Sequence, residues 1–251
     1  MAKIRVMIWN EFYKERNRDN ARAAYPDGIH EQLKKALAAD DLEINTAWLD
    51  KDEDHGLSEE VLNETDVLFW WGHSKHGEVK DEVVTRIYKR VNQGMGLIVL
   101  HSGHHSKIFK RLMGTTGNLV WRDVGERCRI WCLDPSHPIA KGVPQYFELE
   151  HEEMYGERFH IPTPDDIVFA TWWEGGELFR GGVTFRRGYG KIFYFHPGHE
   201  TYGSFYNENV IKILANATRW AAFEEEHDYK CKNVPAKEEI KSQKIDYVYG
   251  E

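Results

Sequence analysis

Three short, almost wholly apolar runs frame this 251-residue chain: Ile4–Trp9, Val67–Trp71 and Leu97–Leu100. A strand that is apolar on both faces needs cover on both, and parallel sheets find that cover in helices. The segments between the runs have helical period. Ile29, Leu33, Ala36 and Leu37 recur in this way within Ile29–Ala39. Val83, Val84, Ile87, Tyr88 and Val91 do so within Asp81–Asn92, which Gly94 closes. A strand is expected near Ile44–Leu49, and Ser58 is the expected N-cap of a short helix burying Val61 and Leu62. Alternation of strand and helix at this spacing predicts an α/β fold, mainly parallel, with helices on both faces.

The second half is less regular. Arg127–Leu133 and Ile167–Trp173 read as strands, and Leu178–Phe185 and Lys191–Phe195 as a hairpin around Arg186-Arg187-Gly188-Tyr189-Gly190. Asn209–Phe223 closes the pattern as a helix with Val210, Ile213, Leu214, Ala217 and Trp220 on one side. Composition then turns charged, which divides the chain into an α/β domain, residues 1–223, and an arm, residues 224–251. Ile240, Ile245, Tyr247, Val248 and Tyr249 are too apolar for a free tail. The arm is expected to lie on its own subunit or on a neighbour, as in a homo-oligomer.

A net charge of −8 repels nucleic acid. No apolar run reaches the ~18 residues of a membrane span. The N-terminus reads as a first strand, not as a signal peptide. Cys128, Cys132 and Cys231 form no C-x-x-C pair, and the expected setting is the reducing cytoplasm.

The chemistry lies in the histidines. Val67–Trp71 runs into Gly72-His73-Ser74-Lys75-His76, and Leu97–Leu100 into His101-Ser102-Gly103-His104-His105. Lys191–Phe195 runs into His196-Pro197-Gly198-His199-Glu200. Seven of the 13 histidines thus follow three strands, each time with an H-x-x-H pair. Ligands of open α/β sheets bind outside the carboxyl ends of the strands, so parallel neighbours would gather these imidazoles in one crevice. Any one such histidine could simply cap a helix or bond a loop carbonyl, but the triple repetition favours a functional cluster. Imidazole binds zinc-like metals and moves protons near neutral pH, and both uses stay open. For a metal, the expected ligands are His73, His104 and His199, with zinc the expected ion and a fourth position left for water, substrate or Glu153. Histidine-rich ends do not suit magnesium or calcium, which prefer oxygen ligands. His101 or His196 would then move the proton.

Glu150-His151-Glu152-Glu153-Met154-Tyr155-Gly156-Glu157 is a second cluster. Carboxylates so dense usually mark a solvated face. Glu153 and Tyr155, two apart, are the pair expected to turn inward if the segment is extended. Most of the nine tryptophans are expected in the core, although a flat ring beside a polar crevice would also suit a sugar.

Leu97–His104 resembles the strand-to-helix elbow of class I glutamine amidotransferases, which reads G-x-C-x-G-H, with His101 in the place of the nucleophilic cysteine. Phe193-Tyr194-Phe195-His196-Pro197 resembles their F-x-F-H-P-E segment, and His196 matches its catalytic histidine, with Gly198-His199 inserted before Glu200. Together with Asp134-Pro135-Ser136-His137-Pro138-Ile139, Gly142 and Glu152-Glu153-Met154-Tyr155, these segments resemble the ThuA-like, trehalose-utilisation family over residues 1–223. The resemblance implies a flavodoxin-like, class I glutamine amidotransferase-like three-layer sandwich. It also implies a role in sugar metabolism, including that of keto-disaccharides. Glutaminase chemistry is not expected, because imidazole does not replace a thiolate nucleophile. A non-catalytic sugar- or protein-binding module on this scaffold is the alternative. A serine hydrolase using Ser102 is a weaker one, because the G-x-S-x-G turn is absent.

Overall fold

The computed structural model describes residues 2–239 and 241. Its nine strands are β1 (Ile4–Asn10), β2 (Leu42–Trp48), β3 (Val67–Trp71), β4 (Gly96–Leu100), β5 (Val120–Cys132), β6 (Tyr146–Gly156), β7 (Asp166–Trp173), β8 (Leu178–Arg187) and β9 (Gly190–Phe195). They form one sheet in the order β2-β1-β3-β4-β9-β8-β7-β5-β6. The β2-β1-β3-β4-β9 half is parallel. From β9 outward every pairing is antiparallel.

Helices α1 (Lys14–Asn17), α2 (Asp19–Ala24), α3 (Ile29–Ala36), α4 (Glu59–Asn63), α5 (Asp81–Gln93), α6 (Lys107–Met113) and α7 (Glu208–Ala221) complete the chain. Successive strand residues feed opposite layers, because side chains alternate along a strand. Val67, Phe69 and Trp71 join Ile29 and Leu33 of α3 and Val210 and Leu214 of α7 in one core. Leu68 and Trp70 join Leu62 of α4, Val83 and Ile87 of α5, and Ile108 and Phe109 of α6 in the other. This is the three-layer α/β sandwich that the apolar runs imply. Ser58 caps α4 by accepting from the Val61 amide at 3.3 Å, and Gly94 ends α5 at φ +131°.

Two segments differ from their reading in the sequence. The strand expected from Arg127 begins at Val120, and the acidic run at 150–157 is mostly strand β6. Register shifts between Arg122 and Glu126, and again between Glu126 and Cys128, break the two-residue alternation by which a strand is recognised. Ion pairs also carry the charges: Arg129 meets Glu148 at 2.7 Å and Arg122 meets Glu177 at 2.8 Å. The start of the arm lies on its own subunit. Glu226 accepts from Gln93, Lys191 pairs with Glu224, and His227 stacks on Tyr189 at 4.1 Å. Ile240, Ile245, Tyr247, Val248 and Tyr249 lie outside the described residues.

Helix α7 packs so closely on β4 that a side chain on Gly96 has nowhere to go. A Cβ there would stand 2.3 Å from the Ala221 carbonyl oxygen. Gly96→Ala is therefore expected to lower stability by about 1–3 kcal/mol, the usual cost of overpacking. Gly77→Ala, with nothing within 4 Å of the new methyl, is expected to stay within about 0.5 kcal/mol of the parent. Urea unfolding midpoints of the two variants check the contrast.

Candidate active site

Asn10, Trp71, Leu100 and Phe195 are register partners across β1, β3, β4 and β9. The four strands therefore end on one row, and each next residue starts a loop on the same edge. After β4 the chain turns through His101 at φ +48°, the left-handed region. A residue with a Cβ pays for that conformation, and such strain clusters at functional sites. Gly103 completes the elbow, since a Cβ there would come 2.8 Å from Val99 Cγ1.

Two buried carboxylates hold the histidine loops by their backbones. Glu11, at the end of β1, accepts from the amides of His73, Ser74 and Lys75 at 2.7–2.9 Å and from the Ser74 hydroxyl at 2.9 Å. Glu152 of β6, 0% exposed, accepts from the amides of Gly198 at 2.8 Å and His199 at 3.2 Å. The Glu153 amide and the Ser204 hydroxyl also donate to it. Charge-assisted bonds of this kind are about twice as strong as neutral ones.

Between these clamps, one ligand atom each from His73, Glu153 and His199 lies within 4.8 Å of the others. His73 Nδ1 stands 2.8 Å from Glu200 Oε2, and His101 Nε2 stands 2.9 Å from Glu153 Oε2. Lys14 Nζ approaches the other Glu200 oxygen at 3.5 Å. His73 Nδ1, Glu153 Oε2 and Glu200 Oε2 are nevertheless buried without an aligned hydrogen bond. Tyr155 stacks on His101 with ring centroids 4.8 Å apart. Its hydroxyl lies 3.2 Å from His101 Nε2 and 2.8 Å from Ser102 Oγ.

Burial opposes the charge on His101, but Glu153, backed by Glu152 and the His196 carbonyl, lifts it to about 9. Glu153 is held below its ordinary value, since contact with His101 and the nearby His199 and His73 outweigh its burial. Glu200 is lowered by His73 in the same way, again against burial. His199 is lowered by burial first and by the His101 charge second.

The structure brings His73, His101, His199, Glu153 and Tyr155 together. It does not bring His104 into the ligand group, where Glu153 stands instead. His104 also lines the cavity, but its Nδ1 is tied to the Gly117 carbonyl at 2.7 Å, and burial lowers its pKa well below the ordinary value. His196 contributes its carbonyl, which accepts from His101 Nδ1 at 2.9 Å. Its side chain is fully buried beside Thr171, Trp173 and Phe179, does not line the cavity, and has its pKa depressed by burial. His76, half-buried, and His105, exposed, line the same cavity, and burial takes His76 down to about 3.

Sequence reasoning missed Glu11, Glu152 and the contact of Glu200 with His73. Only Glu11 had a usable signal, a lone carboxylate just past a strand parallel to the histidine-bearing ones.

The cavity over this centre has a volume of about 490 Å³. Lys14, Arg18 and Asn20 from the α1–α2 region line it, as do Asn118, Trp121 and Asp123 near the start of β5. No helix of the described residues is long and apolar enough to cross a membrane.

In fold, the chain is similar to a protein of Parabacteroides merdae described as ThuA-like. The TM-score is 0.65 at 17% identity, covering 93% of this chain and 95% of that one. A second protein so described, from Bacteroides uniformis, gives 0.63 at 16% identity, covering 88% and 92%. A chain of PurLQS from Thermotoga maritima gives 0.52 at 14% identity, covering 87% and 99%, which places the fold among the amidotransferase-like ones. No curated protein matches in sequence. The family described as ThuA, trehalose utilisation, matches residues 5–221, and the chain belongs to it.

Proposed function

We propose that this chain is a cytoplasmic, metal-assisted enzyme of sugar metabolism that acts on a keto-disaccharide or a related sugar. The observation that carries the reading is the cluster of His73, Glu153 and His199, whose ligand atoms lie within 4.8 Å of one another. Buried polar atoms without partners are costly. Glu153 Oε2 is one such atom, and a divalent cation would satisfy it. Two imidazoles and one carboxylate suit zinc, with an open position beside them. Such an ion would polarise a carbonyl or hydroxyl oxygen of the sugar.

The chain's own residues divide the remaining work. The Glu11 and Glu152 clamps hold the loops of His73 and His199. Glu200 orients His73, the role that carboxylates play behind metal-bound imidazoles. His101, fixed by the His196 carbonyl, carries a proton, and the hydroxyls of Tyr155 and Ser102 continue the chain to the cavity wall. No cysteine lines the cavity among the described residues, and glutamine is not a substrate in this reading.

Elemental analysis of protein never exposed to chelator is the test. About one divalent metal ion per chain is expected, most of it zinc. Restoring the metal to stripped protein at a hundredfold excess over Kd should add about 2.7 kcal/mol of stability. His73→Ala and Glu153→Gln should abolish both the metal content and that increment. A metal-free protein whose melting temperature and turnover ignore added zinc overturns the reading. Metal and sugar binding without turnover would favour the non-catalytic binding module.

A further inference from the structure

We propose that Trp121 is a stacking platform for the second ring of a disaccharide whose first ring lies at the His73–Glu153–His199 centre. This rests on the sugar reading above and gives a place to the part of the substrate that does not react. Trp121 is 65% exposed, yet it lines the same cavity as the histidines. Its cross-strand partner in the β5–β6 register is Tyr155. Residues directly opposite in an antiparallel pair lie on one face of the ribbon. The ribbon face that sends Tyr155 to His101 therefore continues through Trp121.

Among the described residues the indole stacks on no aromatic ring and its N–H has no partner. Val120 is also exposed, but as the next residue along the strand it points to the other face. Trp121 is thus an exposed flat apolar surface on a wall that also carries polar groups. Asn118, Asp123, Arg18 and Asn20 line that cavity too. Asp123 is held in place by the Tyr202 hydroxyl at 2.6 Å. A flat apolar face ringed by hydrogen-bonding groups fits a pyranose, which presents C–H bonds on its face and hydroxyls around its edge. A wholly apolar ligand would leave those polar groups without partners. The bulged strand after Arg122 turns the ribbon here, as bulges do beside active sites.

Calorimetric titration of the metal-loaded protein with trehalose, maltose and glucose tests the platform, using the parent, Trp121→Ala and Trp121→Phe. The parent is expected to bind at least one disaccharide tenfold or more tightly than glucose. Trp121→Ala should lose about tenfold for that disaccharide and leave glucose unchanged, and Trp121→Phe should recover most of the loss. Parent-like disaccharide affinity in Trp121→Ala overturns the platform and leaves the sugar reading standing. Equal losses for glucose and disaccharide overturn it too. So does a change confined to the sedimentation coefficient, which would make Trp121 a contact between copies of the chain. A metal-loaded parent that binds none of the three sugars overturns the sugar reading and the platform with it.

Discussion

Glu152→Ala is expected to lower stability by about 3–5 kcal/mol, because it removes the shared acceptor of several buried donors at once. The amides of Glu153, Gly198 and His199 and the hydroxyl of Ser204 all end on this carboxylate. Glu152 is fully buried, so these donors are shielded from bulk solvent. In a protein of this size such a loss moves Tm by on the order of 10 °C. Glu152→Gln should recover little, since its NH2 group would face N–H donors. The same change frees the His199 loop, so metal affinity is expected to fall about 10–100-fold, as when other supporting groups of metal sites are removed. Differential scanning calorimetry and metal titration measure the two effects. A Glu152→Ala protein that melts within 2 °C of the parent would show that the clamp carries no load.

The second large effect is on the alkaline limb of the stability profile. His101 is lifted from 6.5 to about 9, so the folded state holds a proton that the unfolded chain releases. Its stabilising contribution is complete below pH 6.5 and is lost as pH rises through 9. That rise corresponds to about 3 kcal/mol. Glu153 acts at the other end: its pKa is lowered, so its contribution is present above pH 4.5 and lost below it. His76, His104, His196 and His199 are shifted down. They cost stability only below pH 6.5, where unfolding lets them take up protons. Among these five histidines the slope between pH 6.5 and 9 therefore belongs to His101. Tm of metal-free protein should fall across that window, and His101→Gln should flatten the fall. An unchanged slope in His101→Gln would sink the assignment.

How much of this could be read in the sequence follows from which elements obey simple periodicity. β1, β3, β4 and β9 lie between two helical layers, so their residues are almost wholly apolar and their carboxyl ends could be located. That sufficed to place His73, His101 and His199 on one edge. The Glu153–Tyr155 pair followed from two-residue spacing alone. What could not be read is the return of β6. In hydrogen-bonding order it lies five strands from β4, which in a flat sheet is about 24 Å. Yet Tyr155 stacks on His101, so the antiparallel half must curl back over the strand ends. The bulges between Arg122 and Cys128 that permit the curl also erase the pattern of β5. Glu152 was hidden for another reason. A carboxylate within Glu150-His151-Glu152-Glu153 looks solvated, and only the folded chain shows backbone amides pointing at it. His104 and His196 follow strands as the other histidines do, and the sequence holds no sign that one is tied to a carbonyl and the other walled in by aromatics.

The grip of Glu11 on residues 73–75 is made almost entirely through main-chain amides. Every residue except proline offers that same amide. The path of the loop is thus set by a partner that does not read the side chains it presents. The Glu152 grip on Gly198 and His199 has the same character. The scaffold behaves like a socket: it fixes where a reacting group will stand and leaves open which group that is. A change of imidazole to carboxylate, amide or hydroxyl at 73 or 199 would alter the chemistry without asking the loop to find a new course. One fold can host many unrelated functions, because function lives in the groups that such a socket presents.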